Sequence, residues 1–174
     1  MIAPQKQIVV QDVLQQIIDN LPEFQINETD TGKVYFNFGT KERINEYIKA
    51  TEGNNYPLIW LLPDKNDNNT SSNIVTRKLS IIVSSIESRL ELPNKDRIED
   101  TFKKTLFPIR DYLVHSLRNS GATKLKDSLV TTYEFPRYIL KDDARTIGNW
   151  DAIRIECDVD FIRDKCIKSF TWIT

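Results

Sequence analysis

Residues 150–161, WDAIRIECDVDF, alternate with a period of two. Ile153, Ile155, Cys157, Val159 and Phe161 fall on one side, and Arg154, Glu156, Asp158 and Asp160 on the other. Successive side chains of an extended chain point to opposite faces, so this is a strand with one face on a core and one toward water. One-sided strands of this kind belong to antiparallel sheets, whose apolar face needs a layer of helices.

The remaining segments supply that sheet and that layer. IVTRKLSIIVSS (74–85) is a second long strand, with Val75, Leu79, Ile81 and Val83 on one side. YPLIWLL (56–62) holds five consecutive apolar residues between Pro57 and Pro63 and does not alternate, which predicts a strand covered on both faces. It is far too short for a membrane span, which takes about 20 apolar residues. Between these two strands lies DKNDNNTSSN (64–73), wholly polar, the expected tip of a long hairpin. KVYFNF (33–38) is a short strand stopped by Gly39, and its aromatic residues Tyr35, Phe36 and Phe38 read as core.

Three helices follow from apolar spacing. The first covers 8–21 and ends near Asn20, with Pro22 beyond it. Thr40 caps the second, ERINEYIKA, whose Ile44, Tyr47 and Ile48 share a face. Asn94 caps the longest, 95–119, with Ile98, Phe102, Leu106, Ile109, Leu113 and Leu117 as its buried stripe. Pro108 inside that stripe predicts a kink or a split, and Ser120-Gly121 ends the helix. Residues 122–149 read as an irregular arm with a short strand at 133–140 interrupted by Pro136, and CIKSFTWIT (166–174) adds a last short strand. The expected fold is α+β: a mainly antiparallel sheet with a long hairpin, packed against an N-terminal helix and a long kinked helix, in a single domain spanning 1–174.

Composition narrows the function classes. The chain has 174 residues, of which 40% are hydrophobic, enough for one globular core without a metal or disulfide staple. A formal net charge of -1 gives no general attraction to nucleic acid or to an anionic membrane. The first residues, MIAPQKQIVVQDVLQQ, are too polar for a signal peptide. Two cysteines, Cys157 and Cys166, with no CxxC and a single His115, make a structural zinc site implausible.

Catalytic signatures are missing. Asp64, Asn66 and Asn68 stand at the first, third and fifth positions of a calcium loop, but its glycine position is Asn69 and its closing glutamate position is Val75. Asp158 and Asp160 share a strand face and can in principle hold Mg²⁺, yet Arg154 and Glu156 on the same face mark it as a solvated surface. Pro63-Asp64 resembles the start of a metal-dependent nuclease core, but no acidic-x-Lys triplet follows on the next strand. Cys157 sits on an apolar face, DTGK (30–33) lacks the rest of a phosphate loop, and five glycines leave little backbone for a phosphate cradle. No cofactor is expected.

The order of elements carries more information than any motif. A one-faced N-terminal helix, the "YP-x-IW-L" strand at 56–61, a polar hairpin tip, a long helix containing LFPIRDYL (106–113) and the closing strand WDAIRIECDVDF follow in turn. Over residues 8–162 this order resembles the tail terminator and tail-completion proteins of tailed bacteriophages, small α+β subunits of the neck and tail top. The resemblance implies a non-enzymatic virion protein assembled in the bacterial cytoplasm. It implies a closed ring of identical subunits, a hexamer or dodecamer, that caps tail growth and joins other neck, connector or tail proteins. DNA is then only passing cargo, and no membrane is involved. Heterologous ring contacts need parts that reach a neighbour. The candidates are Asp64, Lys65, Asn66, Asp67, Asn68 and Asn69 at the hairpin tip, and the aromatic anchors Phe170 and Trp172 in the tail. The alternatives are a small metal-dependent nuclease or hydrolase using Asp158 and Asp160, and a general protein-interaction module.

Overall fold

The structure is a computed structural model whose described residues are 8–26, 29–51, 55–63, 69–70, 73–86, 93–126, 130–138 and 150–163. In chain order the elements are α1 (Val10–Asp19), β1 (Phe24–Gln25), β2 (Thr31–Gly32), β3 (Tyr35–Phe38), α2 (Lys41–Ala50), β4 (Leu58–Leu62), β5 (Asn69–Thr70) and β6 (Ile74–Ile86). Then come α3 (Asn94–Arg97), a wide π-type helix (Ile98–Leu106), α4 (Phe107–Asn119), β7 (Thr123–Leu125), β8 (Thr131–Tyr138) and β9 (Trp150–Ile162).

The two long strands read from the sequence form the spine. β6 and β9 pair antiparallel along their whole length, from Ile74 opposite Ile162 to Ile86 opposite Trp150. The main sheet runs β3-β4-β6-β9-β7, with β5 beside β6 and β8 beside β9. Among the described residues only β3 and β4 pair in parallel; the other ladders are antiparallel. The architecture is therefore α+β with a mainly antiparallel sheet, an N-terminal helix and a long helical segment.

The sheet has a core on each side. On one face, Ile59, Leu61, Leu79, Ile81, Val83, Ile153, Ile155, Val159 and Phe161 meet Leu14, Ile17 and Ile18 of α1 and the long helix stripe. Phe102, Leu106, Ile109, Leu113 and Leu117 are all 0% exposed, as the helical spacing predicted. On the other face, Leu58, Trp60, Leu62, Ile82, Trp150 and Ala152 pack against Ile44 and Ile48 of α2. That second core explains why 58–62 does not alternate: even positions face α2 and odd positions face α1 and the long helix. Each fully buried side chain of this size contributes about 1.5–3 kcal/mol. No helix among the described residues is long and apolar enough to cross a membrane.

Pro108 acts on the long helix in a specific way. The helical path is unbroken from Asn94 to Asn119, and the proline sits in the first turn of α4. Proline has no N–H, and its ring crowds the carbonyl four residues back, here Lys104. The turns before it adopt the wider π register, with the Phe107 N–H donating to the Phe102 carbonyl. The expected kink or split is thus a change of hydrogen-bond register. Asn94 is the first helical residue and not the cap; Pro93 holds that position and makes no side-chain cap bond. At α2, the Thr40 hydroxyl hydrogen-bonds the Glu42 carboxylate and holds it below its ordinary pKa.

Residues 122–126 and 130–138 are more regular than the expected irregular arm, and β8 corresponds to the short strand expected at 133–140. α4 closes in a buried turn in which the Thr123 hydroxyl donates to the Leu117 carbonyl at 2.7 Å and the Ser120 Oγ accepts from the Thr123 N–H at 3.1 Å. Gly121 takes a φ of 80°, a conformation that favours glycine. β7 and β8 then both pair antiparallel with β9. The β8 register shifts between Phe135 and Tyr138, where Pro136 removes a ladder donor. The hairpin tip also departs from a structureless loop, because β5 pairs back on Val75 and Thr76. Residues 64–68, 71–72, 139–149 and 164–174 lie outside the described residues, and with them most of the tip, the far part of the arm and the tail strand.

Candidate subunit-contact site

The candidate contacts divide between described and undescribed residues. Asn69 lies in β5, its Cα opposite Thr76 of β6. Asp64, Lys65, Asn66, Asp67 and Asn68, and Phe170 and Trp172 in the tail, are outside the described residues. What surrounds their attachment points is clear. β4 ends at Leu62 opposite Ser80, so the first six residues of β6 extend past it, carried by β9 on one side. Past the end of β4, the β4 side of β6 is met by β5 at Val75 and Thr76.

The β3 margin, on the same side of β6 as β4 and β5, holds a second surface that the sequence reading missed. β3 is an edge strand bonded to β4 alone among the described residues. The Tyr35 N–H donates to the Pro57 carbonyl at 2.9 Å and the Gly39 N–H to the Leu61 carbonyl at 3.0 Å. Odd residues thus spend their backbone groups inward, and Phe36 and Phe38 turn theirs outward. One outward donor is occupied: the Phe38 N–H donates to the Asn37 Oδ1 at 2.8 Å. Tyr35 is 43% exposed and Phe38 52% exposed, so the reading of these aromatics as core is corrected. Phe36 between them is partly buried against the core that α1 covers, so only Tyr35 and Phe38 depart from that reading. An aromatic strand broken at once by glycine was the available signal.

Beside Phe38 lies a cleft of about 230 Å³ between the start of α1, the ends of β3 and β4, and β6, lined by Val10, Gly39, Leu61, Leu62 and Arg77. That volume is below the range of about 300–1,000 Å³ typical of small-molecule sites and suits a single side chain. Val9 at its rim is 45% exposed. Gly39 is fixed here by a φ of 145° and by the Trp60 indole, whose Nε1–H donates to the Gly39 carbonyl at 2.8 Å.

The groups that had been weighed for catalysis do not converge. Asp158 stands opposite Lys78, and Asp160 accepts a 2.6 Å hydrogen bond from the Thr76 hydroxyl. Arg154 bonds both Ser80 and Glu156. This face is a row of compensating cross-strand partners, and no group of three metal-ligating side chains occurs among the described residues. Cys157 is buried in the apolar core, and burial pushes its thiol up to about 12, which suppresses the thiolate a nucleophile needs. His115 lies exposed on α4, bonded by Asn119. A shallow hollow between α4 and β8 includes Arg110, but its guanidinium is held by Asp111 at 2.8 Å and lies over the Phe107 ring. No protein-family model matches this chain, and no curated protein or solved structure matches it significantly.

Proposed function

We propose that this chain is a structural subunit of a tailed-phage virion, a ring-forming tail terminator or neck (head–tail joining) protein that works by assembly and not by catalysis. Its partners are further copies of itself and other neck, connector or tail proteins, around a channel through which DNA passes. It assembles in the host cytoplasm and resides in the virion. The observation that carries the reading is the presence of two unlike contact surfaces on a rigid two-core body. One is the exposed aromatic edge at β3, and the other is the hairpin that β6 carries past the end of β4. A heterologous contact joins two different patches, and its repetition closes a ring where the rotation between copies closes. The order of elements over 8–162 supports the phage assignment. A near-neutral chain suits a channel that lets DNA slide, because few phosphates are neutralised.

Negative-stain microscopy of the purified protein, alone and mixed with neighbouring neck and tail proteins, tests this reading. Closed rings of uniform diameter are expected. Isolated particles under every condition contradict it, as does a metal-dependent hydrolytic activity abolished by Asp158→Ala.

A further inference from the structure

We propose that the β3 edge of one copy pairs antiparallel with the β8 edge of the next, Phe36 opposite Glu134 and Phe38 opposite Thr132, with the Phe38 ring seated in the hollow between α4 and β8. The inference rests on the assembly reading. It gives the β3 edge its partner surface and leaves the hairpin beyond β4 for other neck and tail proteins.

Direction and level both fit. β3 runs with β4, β4 against β6, β6 against β9 and β9 against β8, so β3 and β8 run in opposite directions. A second copy set beside β8 in the same orientation therefore adds its β3 antiparallel, the more stable ladder. Phe38 pairs with Leu61, Leu61 with Ile81, Ile81 with Ile155 and Ile155 with Thr132. The same path carries Phe36 through Ile59, Val83 and Ile153 to Glu134. The two margins stand level across the sheet, and the contact needs no slide along the strands.

The hydrogen-bonding phase agrees. Phe36 and Phe38 turn their backbone groups outward from β3. On the other margin, the Lys126 N–H donates to the Asp158 carbonyl at 2.8 Å and the Ile162 N–H to the Ala122 carbonyl at 2.9 Å, so even residues of β9 turn toward β7 and β8. β9 keeps a one-to-one register with β6 throughout, and the alternation holds to its start. Thr131, Tyr133 and Phe135, opposite Glu156, Arg154 and Ala152, thus spend their groups inward, and Thr132 and Glu134 turn theirs outward. Among the described residues β8 pairs with β9 alone. Phe36 and Glu134 then exchange two bonds, and the Phe38 carbonyl accepts one from the Thr132 N–H while its own N–H stays on Asn37. A slip of one residue sets outward groups against inward ones.

Side chains and charge point the same way. The Phe38 and Thr132 positions share the sheet face that carries Leu61, Ile81 and Ile155, the face covered by α1 and the long helix. There a hollow of about 440 Å³ is lined by Arg110, Val114, Arg118, Val130 and Thr132, and a Phe38 ring set across from Thr132 enters it. α1 packs on β3 and arrives with it, bringing the exposed Asp12 and Asp19 and no basic residue. It comes beside a flank of α4 that carries Arg110, His115 and Arg118 against Asp111. A contact between two β3 edges would instead set two acidic α1 helices side by side. Few main-chain bonds make a single contact weak, and the closed ring supplies the avidity.

Disulfide trapping in full-length protein carrying Cys166→Ser tests the register, since Cys157 is buried. Tyr35→Cys on one chain and Phe135→Cys on another fall directly opposite, at the about 4.5 Å Cα spacing of a non-hydrogen-bonded pair and within disulfide reach. Both leave Phe36, Phe38, Thr132 and Glu134 in place, and circular dichroism verifies that each variant folds. Under mild oxidation their mixture is expected to give a linked dimer, and one chain with both substitutions a ladder of linked oligomers. Adding Phe38→Lys to the Tyr35→Cys chain is expected to abolish the link. Tyr35→Cys mixed with Glu134→Cys, which points to the other face, is expected to stay unlinked. No link in the first mixture overturns the interface, as do equal yields from the Glu134→Cys mixture, from Tyr35→Cys alone or with Phe38→Lys present. The mass of the wild type by light scattering separates the two readings. An assembled wild type with the opposed pair unlinked loses this interface and keeps the ring, whereas a monomeric wild type with that pair linked keeps the interface and loses the ring.

Discussion

Arg97 and Asp151 meet at 3.0 Å with both side chains 0% exposed, at the junction of α3 and β9. Burying two charges costs several kcal/mol each, and their attraction offsets that only while both are present. Asp151→Ala should therefore cost about 3–5 kcal/mol in urea unfolding, because it leaves a buried guanidinium without its carboxylate. Replacing both residues by apolar ones of similar volume should cost much less. Gly39→Ala tests a different constraint. A Cβ there would lie 3.2 Å from the Trp60 ring and 3.3 Å from Arg43 Cβ, in a backbone conformation that L residues avoid. A loss of about 1–3 kcal/mol is expected, read by thermal unfolding. For Cys157, folding raises the pKa from 9.0 to about 12. Its contribution to stability is complete below pH 9 and is lost as pH rises from 9 to about 12, where the unfolded chain ionises first. In a Cys166→Ser background at pH 8, a thiol reagent should label the native protein only at the rate of unfolding. Rapid native labelling contradicts the burial assigned to this thiol.

At the scale of elements, the stripe of the long helix is the most direct target. Leu113 is 0% exposed against the β6–β9 face, and Leu113→Ala should cost about 2–5 kcal/mol, while Arg118→Ala on the outer side should change stability by less than about 0.5 kcal/mol. This element was legible because burial on one face writes itself into sequence as spacing. The same holds for 153–161 and 74–80, whose period of two reports one covered face there, while 81–85 and 150–152 are covered on both. LIWLL was legible for the opposite reason, since only cover on both faces removes the alternation. β8 was legible as the short strand expected at 133–140, whereas β7 was not, because so short an edge strand is held in the sheet by its partner and not by its own composition. The exposure of Tyr35 and Phe38 was hidden too: an aromatic strand has the same composition whether a helix covers it or not. The Arg97–Asp151 pair joins residues 54 positions apart, a proximity no local pattern reports.

For the whole molecule, two cores on opposite faces of one sheet make a stiff body, and the β3 edge and the hairpin beyond β4 are among the surfaces proposed for neighbours. The polar row Arg154, Glu156, Asp158 and Asp160 was legible as a solvated face from alternation alone. The contact surfaces were legible only in part, because a patch that binds a partner differs from a core patch in cover and not in residue type. Assembly is the central claim, and the mass of the protein in solution tests it most directly. Size-exclusion chromatography with light scattering, run across a range of concentrations, should give one species whose mass is a fixed multiple of the 20.3 kDa subunit and corresponds to a closed hexamer or dodecamer. A mass of one subunit at every concentration, unchanged when neck and tail proteins are added, would contradict it.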